Sequence, residues 1–167
     1  KINEKTSSLE NFAAIHPLTD DKYSQGCLQM MYDLSEYLCN ITGMKAFSLI
    51  PAAGAHGELA SVMIIKKYFE SIGENRKVIL IPDSAHGTNP ASVKMCGFEV
   101  KEVPSNSSGD TDIEKLKEMV DENVAAMMLT SPNTLGLFDR NLREIAELLH
   151  SKGALFYCDG ANLNAVM

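Results

Sequence analysis

The spacing of apolar positions sorts the chain into stretches of helical period and stretches of strand period. From Tyr23 to Thr42, residues Leu28, Met31, Leu34, Leu38 and Ile41 recur three or four apart. That is one face of a helix, and Gly43 is a suitable residue to end it. A β/α alternation then begins. The run KAFSLIP, residues 45–51, reads as a short strand, and GAHGELASVMIIKKYFESIG as a helix ending at Gly73. KVILIP is almost continuously apolar, as strands covered on both faces are. NPASVKMCG reads as a short helix opened by Asn89, with Pro90 in its first helical position. FEVKEVP alternates as a strand, and Asp112 opens a helix that runs through Val120. AAMMLT is a further apolar strand, SPNTLG a turn, NLREIAELLHSKG a helix, and ALFYC the last strand.

About five strands alternating with helices predict a three-layer α/β/α domain with a mostly parallel sheet. Residues 1–22 show no clear period and read as an irregular lead-in, leaving 23–167 as the α/β part. The lead-in has no initiator Met and no first strand, and reads as the interior of a longer chain.

Charge and composition narrow the classes. With 167 residues, 45% hydrophobic, the chain can bury a core of its own. A net charge of −7 and scattered Lys and Arg argue against nucleic acid, which calls for a basic face. No apolar run is long enough to span a bilayer, so no membrane partner is expected. Cys27, Cys39, Cys96 and Cys158 lie far apart without a CxxC pair. They are expected to be free thiols, three of them buried, in a cytoplasmic protein with no metal site.

Ligands in parallel α/β sheets bind outside the carboxyl ends of the strands, so the strand ends carry the candidate chemistry. PAAGAHGE places Gly54 and Gly57 at the mouth of a helix, where small residues and the helix dipole suit an anion. An ordinary strand-to-helix turn favours glycine too, and the stretch matches neither the P-loop nor GxGxxG. SAHGTNP puts His86 just past an apolar strand, an imidazole able to stack on a flat ring or to move protons. His56 lies similarly, with a supporting role at the helix N-terminus equally open, while His16 and His150 read as structural. Asp159 ends the last strand. It is either the partner of a protonated ring nitrogen, as in pyridoxal phosphate sites, or a cap for the turn after Gly160. Ala161 is small enough to lie flat against a ring. Taken in chain order within one sheet, these features favour pyridoxal phosphate over a nucleotide.

FAAIHPL, ITGM, PAAGAHGEL, IPDSAHGTNPAS, SPNTLGLF and DGANLNA resemble the glycine decarboxylase family, the P-proteins of the glycine cleavage system, and within it subunit 2 of the two-subunit form. The resemblance implies part of the large domain of a fold-type I pyridoxal phosphate enzyme that decarboxylates glycine. In that family the aminomethyl group passes to the lipoyl arm of the H-protein, beside a homologous subunit 1, in an oligomer. It implies backbone contacts to phosphate from Gly54 and Ala55, a His86 stacked on the ring, Asp159 at the ring nitrogen and Ala161 packed below. Thr88 and Ser131 are implied as further phosphate or substrate contacts. The family's Schiff-base lysine lies beyond DGAN, past Met167, and Lys66, Lys67, Lys94 and Lys101 all sit in surface-type patterns. No catalytic residue is therefore assigned, and the chain alone is expected to be inactive. A non-catalytic assembly or cofactor-binding module and a Rossmann-like nucleotide domain are the competing readings.

Overall fold

A computed structural model describes residues 1–165. They form two compact units, 1–50 and a second beginning at Pro51.

The first unit is helical. Two short helices, α1 (Ile2–Ser7) and α2 (Glu10–Ala13), occupy the stretch expected to be irregular. They are followed by a single 3-10 turn, Asp21–Tyr23, and by α3 (Gln25–Thr42). As its apolar spacing required, α3 ends at Gly43. That residue adopts φ 72° and donates its N–H to the Cys39 carbonyl at 2.8 Å. None of the residues of α3 is buried.

The second unit alternates α4 (Gly54–Ser71), β1 (Val78–Pro82), α5 (Thr88–Met95), β2 (Glu99–Val103), α6 (Ile113–Met119), β3 (Val124–Thr130), α7 (Leu142–Ser151) and β4 (Leu155–Asp159). The four strands lie in the order β2-β1-β3-β4, every neighbouring pair parallel. β1 and β3 are buried along their whole length, as central parallel strands must be when helices cover both faces. Val78 and Leu80 of β1 join Leu116, Ile145 and Leu149 in one core, while Ile79 and Ile81 join Val62, Ile65, Phe69 and Val93 in the other. The alternation of side chains along one strand thus feeds two layers, α6 and α7 on one face and α4 and α5 on the other. β2 carries exposed Glu99, Lys101 and Glu102, the charges that keep an edge from pairing further.

Three local expectations fail. Residues 45–51 form no strand: no ladder among the described residues includes them, and Ile50 is 90% exposed. Composition alone suggested that strand, whereas a strand exists only through a partner's hydrogen bonds. The sheet accordingly has four strands, not five. α5 starts two residues earlier than its proline suggested, with Gly87 as N-cap and Pro90 third in the helix. Pro90 is still in the first turn, where a missing N–H costs nothing, so Asn89 is not the cap; it is fully buried inside α5. The four cysteines are free thiols, but none is buried, and Cys158 is exposed. Among the described residues no helix is long and apolar enough to cross a membrane.

Candidate cofactor site

The connections of the second unit bring three strand ends and two helix starts to one place. α4 buries Glu58, Val62, Ile65 and Phe69 at helical spacing, which lays the helix along the sheet and fixes its N-terminus at Gly54. A Schellman turn closes its far end, with Gly73 at φ 75° and the Glu74 N–H bonded to the Phe69 carbonyl at 2.9 Å. The turn after β1 carries His86 and leads into α5 at Thr88. The Thr134 hydroxyl donates to the Ser84 carbonyl at 2.7 Å, tying the loop after β3 to the loop after β1. The Asn162 amide donates to the Pro132 carbonyl at 3.0 Å and ties in the turn after β4.

Between these loops lies a cavity of about 500 Å³. Gly54, Ala55, His86, Thr88, Asp159 and Ala161, all singled out in the sequence, line it. Ser131 does not; it is buried, and its backbone N–H donates to the Asp159 carbonyl at 3.0 Å, so it supports the site from behind. His56 and Gly57 lie outside the lining as well. Four residues that the sequence did not single out complete it: Glu58, Thr130, Thr134 and Asn162. Glu58 was legible in principle, because it is four residues after Gly54 and so on the same helix face. Thr130 follows only from register, as the rung partner of Asp159. A hollow of about 560 Å³ on the outer side of α4, walled by Leu59, Met63, Ile64 and Met95, holds none of the strand-end residues.

Asp159 is 7% exposed. Its Oδ1 accepts the Ala161 N–H at 3.0 Å, the local turn-capping contact, while Oδ2 accepts from the Thr130 hydroxyl at 3.3 Å. The capping role is therefore real, and it uses one oxygen only. On the same cavity, His86 Nδ1 lies 2.7 Å from Thr88 Oγ1, and that hydroxyl donates to Glu58 Oε1 at 2.9 Å. Glu58 is itself buried, and its Oε2 has no partner among the described residues. Two carboxylates beside one apolar strand leave a mark on their neighbours. Burial, followed by the charges of Asp159 and Glu58, pushes the Tyr157 phenol up to about 12. Burial, then Asp159, raises the Cys158 thiol.

The Asp159 carboxylate and the first turns of two helices line one cavity, a combination that suits a ligand with a cationic ring and an anionic tail. Gly54 leaves room for the tail, since a Cβ built there meets nothing within 4 Å. No cluster of three or more His, Cys, Asp or Glu among the described residues could hold a metal ion.

Comparison with known proteins agrees with this architecture. The chain is 57% identical over its whole length to the probable glycine dehydrogenase (decarboxylating) subunit 2 of Thermotoga petrophila, and 55% identical to that of Kosmotoga olearia. It spans 35% of the length of each. A crystal structure of glycine decarboxylase (P-protein) of the glycine cleavage system in inhibitor-bound form superposes with a TM-score of 0.79 at 21% identity. That match covers 94% of this chain and 34% of the other, and it shows the fold. Residues 54–165, from the first turn of α4 to the turn after β4, match the aminotransferase class-V family. All ten residues around the cavity fall inside that match, and the chain belongs to the aminotransferase class-V family.

Proposed function

We propose that the cavity binds pyridoxal phosphate and that the chain is part of a glycine dehydrogenase (decarboxylating), subunit 2 type. The observation that carries this reading is Asp159, buried at the end of β4 with Oδ2 held by the Thr130 hydroxyl alone, in one cavity with the first turns of α4 and α5. The relatives from Thermotoga petrophila and Kosmotoga olearia, named for that activity, support it.

The residues divide the work by position. Asp159 holds a proton at the ring nitrogen, the Gly54 and Ala55 N–H groups receive the phosphate, His86 stacks on the ring and Ala161 packs beneath. Thr88 is a secondary contact to phosphate or substrate, and Ser131 acts only through its backbone bond to Asp159. Bound there, the cofactor supplies an electron sink for the charge left when glycine loses its carboxylate as carbon dioxide. A negative group fixed beforehand at the ring nitrogen needs no reorganisation when that charge develops.

In this reading residues 23–167 are part of a larger cofactor-binding domain. Glycine is the substrate, a lipoylated H-protein the acceptor and a homologous subunit 1 the partner in a cytoplasmic oligomer. Free thiols at all four cysteines are in keeping with that compartment. Among the described residues no lysine lines the cavity, and in this reading the chain by itself binds the cofactor without a covalent link and does not turn over.

Titrating pyridoxal phosphate into the chain is expected to give a saturable absorbance change, weakened at least about tenfold in Asp159→Ala, the loss of one charge-assisted bond. Borohydride is expected to trap no adduct at a single lysine. Unchanged affinity in Asp159→Ala would overturn the assignment, as would a stoichiometric trapped lysine.

A further inference from the structure

Thr88 sits between two acceptors with one proton to give. Its hydroxyl is 2.9 Å from Glu58 Oε1 and 2.7 Å from His86 Nδ1. If the proton goes to Glu58, the short contact to His86 is a hydrogen bond only when Nδ1 is itself the donor. If it goes to His86, Nδ1 must carry a lone pair. The tautomer of His86 is therefore decided by which neighbour wins the Thr88 proton.

Three features favour Glu58. The residue is buried, at 7% exposure, and Thr88 is the one side-chain donor to its carboxylate among the described residues. A buried carboxylate deprived of its donor costs more than an exposed imidazole deprived of one, and His86 is exposed. The other carboxylate of the cavity does not compete, because Asp159 is engaged by the Ala161 N–H and the Thr130 hydroxyl. A weaker influence opposes these: the Thr88 backbone N–H points at His86 Nδ1 from 3.3 Å and favours a lone pair there. With Glu58 gone, both Thr88 donors would converge on that nitrogen.

We infer that Glu58 is a positioning residue that, through the Thr88 hydroxyl, holds His86 as the Nδ1–H tautomer and leaves Nε2 as the basic nitrogen of the ring. The value of that state for a stacked ligand rests on the cofactor reading above; the tautomer itself does not. It couples a buried residue of α4 to the one imidazole that lines the cavity among the described residues, with the N-terminal residue of α5 as the link.

Nitrogen-15 labelling of the histidines, with His86 assigned by His86→Gln, reads the tautomer directly in the cofactor-free chain under conditions where the ring is neutral. Nδ1 is expected to be the protonated nitrogen in the parent chain and in Glu58→Gln, whose amide oxygen still accepts from Thr88. In Glu58→Leu and in Thr88→Val the ratio of tautomers is expected to shift at least about tenfold toward Nε2–H, the size of effect that losing one buried hydrogen bond produces. A lone pair on Nδ1 in the parent chain would overturn the inference, as would an unchanged ratio in Thr88→Val. Should Glu58→Leu not fold, Glu58→Gln and Thr88→Val still decide the matter. Because no cofactor is present, failure here leaves the cofactor reading standing, and failure of that reading leaves the imidazole spectrum as predicted.

Discussion

Asp159 uses its two oxygens differently, and this resolves an ambiguity that its sequence context left open. One oxygen closes the turn to Ala161, the other faces Thr130 and the cavity, so the cap and the candidate ligand contact coexist. Its charge also reaches the adjacent thiol. Cys158 is exposed, yet burial of its sulfur surroundings and the Asp159 carboxylate both push its thiol up. A raised thiol holds less thiolate at a given pH, and the thiolate is the nucleophile. Cys158 is accordingly expected to react slowly with iodoacetamide at mildly alkaline pH. Asp159→Asn should make it faster by removing the smaller of the two causes; peptide mapping of the alkylation rate checks this, and a slower rate would contradict it. The residues that the sequence did reveal, His86 and Asp159, stand next to strand ends where a polar group is conspicuous. Glu58 and Thr130 were hidden for opposite reasons. A glutamate in a helix is ordinarily solvated, and a threonine in a strand is ordinary, so only packing and register show that both face the cavity.

At the scale of elements, β1 and β3 were legible because burial on both faces leaves composition no freedom. Residues 45–51 are also largely apolar but have no strand partner among the described residues, which is why composition misled there. A side chain that makes the cap gives a helix start one kind of mark in the sequence. Asp112 accepts the Glu114 and Lys115 N–H groups, each at 3.1 Å, and α6 begins where the sequence placed it. α5 has a glycine N-cap and no side-chain cap bond, and there the start was misplaced. Asp112→Ala is expected to cost about 1 kcal/mol, the usual value of such a cap. A urea titration measures it, as a lower midpoint with an unchanged slope.

Across the whole second unit, the two ends of the sheet carry different duties. At the amino ends Arg76 acts as a clamp, donating to the Val124 and Lys152 carbonyls at 2.9 Å and lying 4.7 Å from the Phe69 ring. Near the carboxyl ends the loops are held by polar contacts, among them the Arg140 guanidinium on Asp110, with Nε 2.8 Å from Oδ2. That bond holds the Asp110 carboxyl below its ordinary value, against the opposing pull of burial. A carboxyl lowered in the folded state adds stability above its unfolded value, near 4, and loses it as pH falls through the folded one. Arg140→Gln is therefore expected to leave stability near pH 7 lower and to move acid unfolding to higher pH, as followed by circular dichroism. An unchanged acid midpoint would show that the pair contributes nothing to the fold. The last rung of the β3–β4 ladder, Thr130 beside Asp159, has a consequence for how such a chain can change over generations. Side chains alternate along a strand, so a one-residue slip exchanges the faces of every position in it. A codon lost or gained ahead of Leu155 leaves the alternation within β4 itself unchanged. The same change between Leu155 and Asp159 would carry the carboxylate to the opposite face while the backbone ladder still closed. Length variation in descendants should therefore be tolerated before β4 and purged within it, because there the sheet could survive a deletion that its chemistry could not.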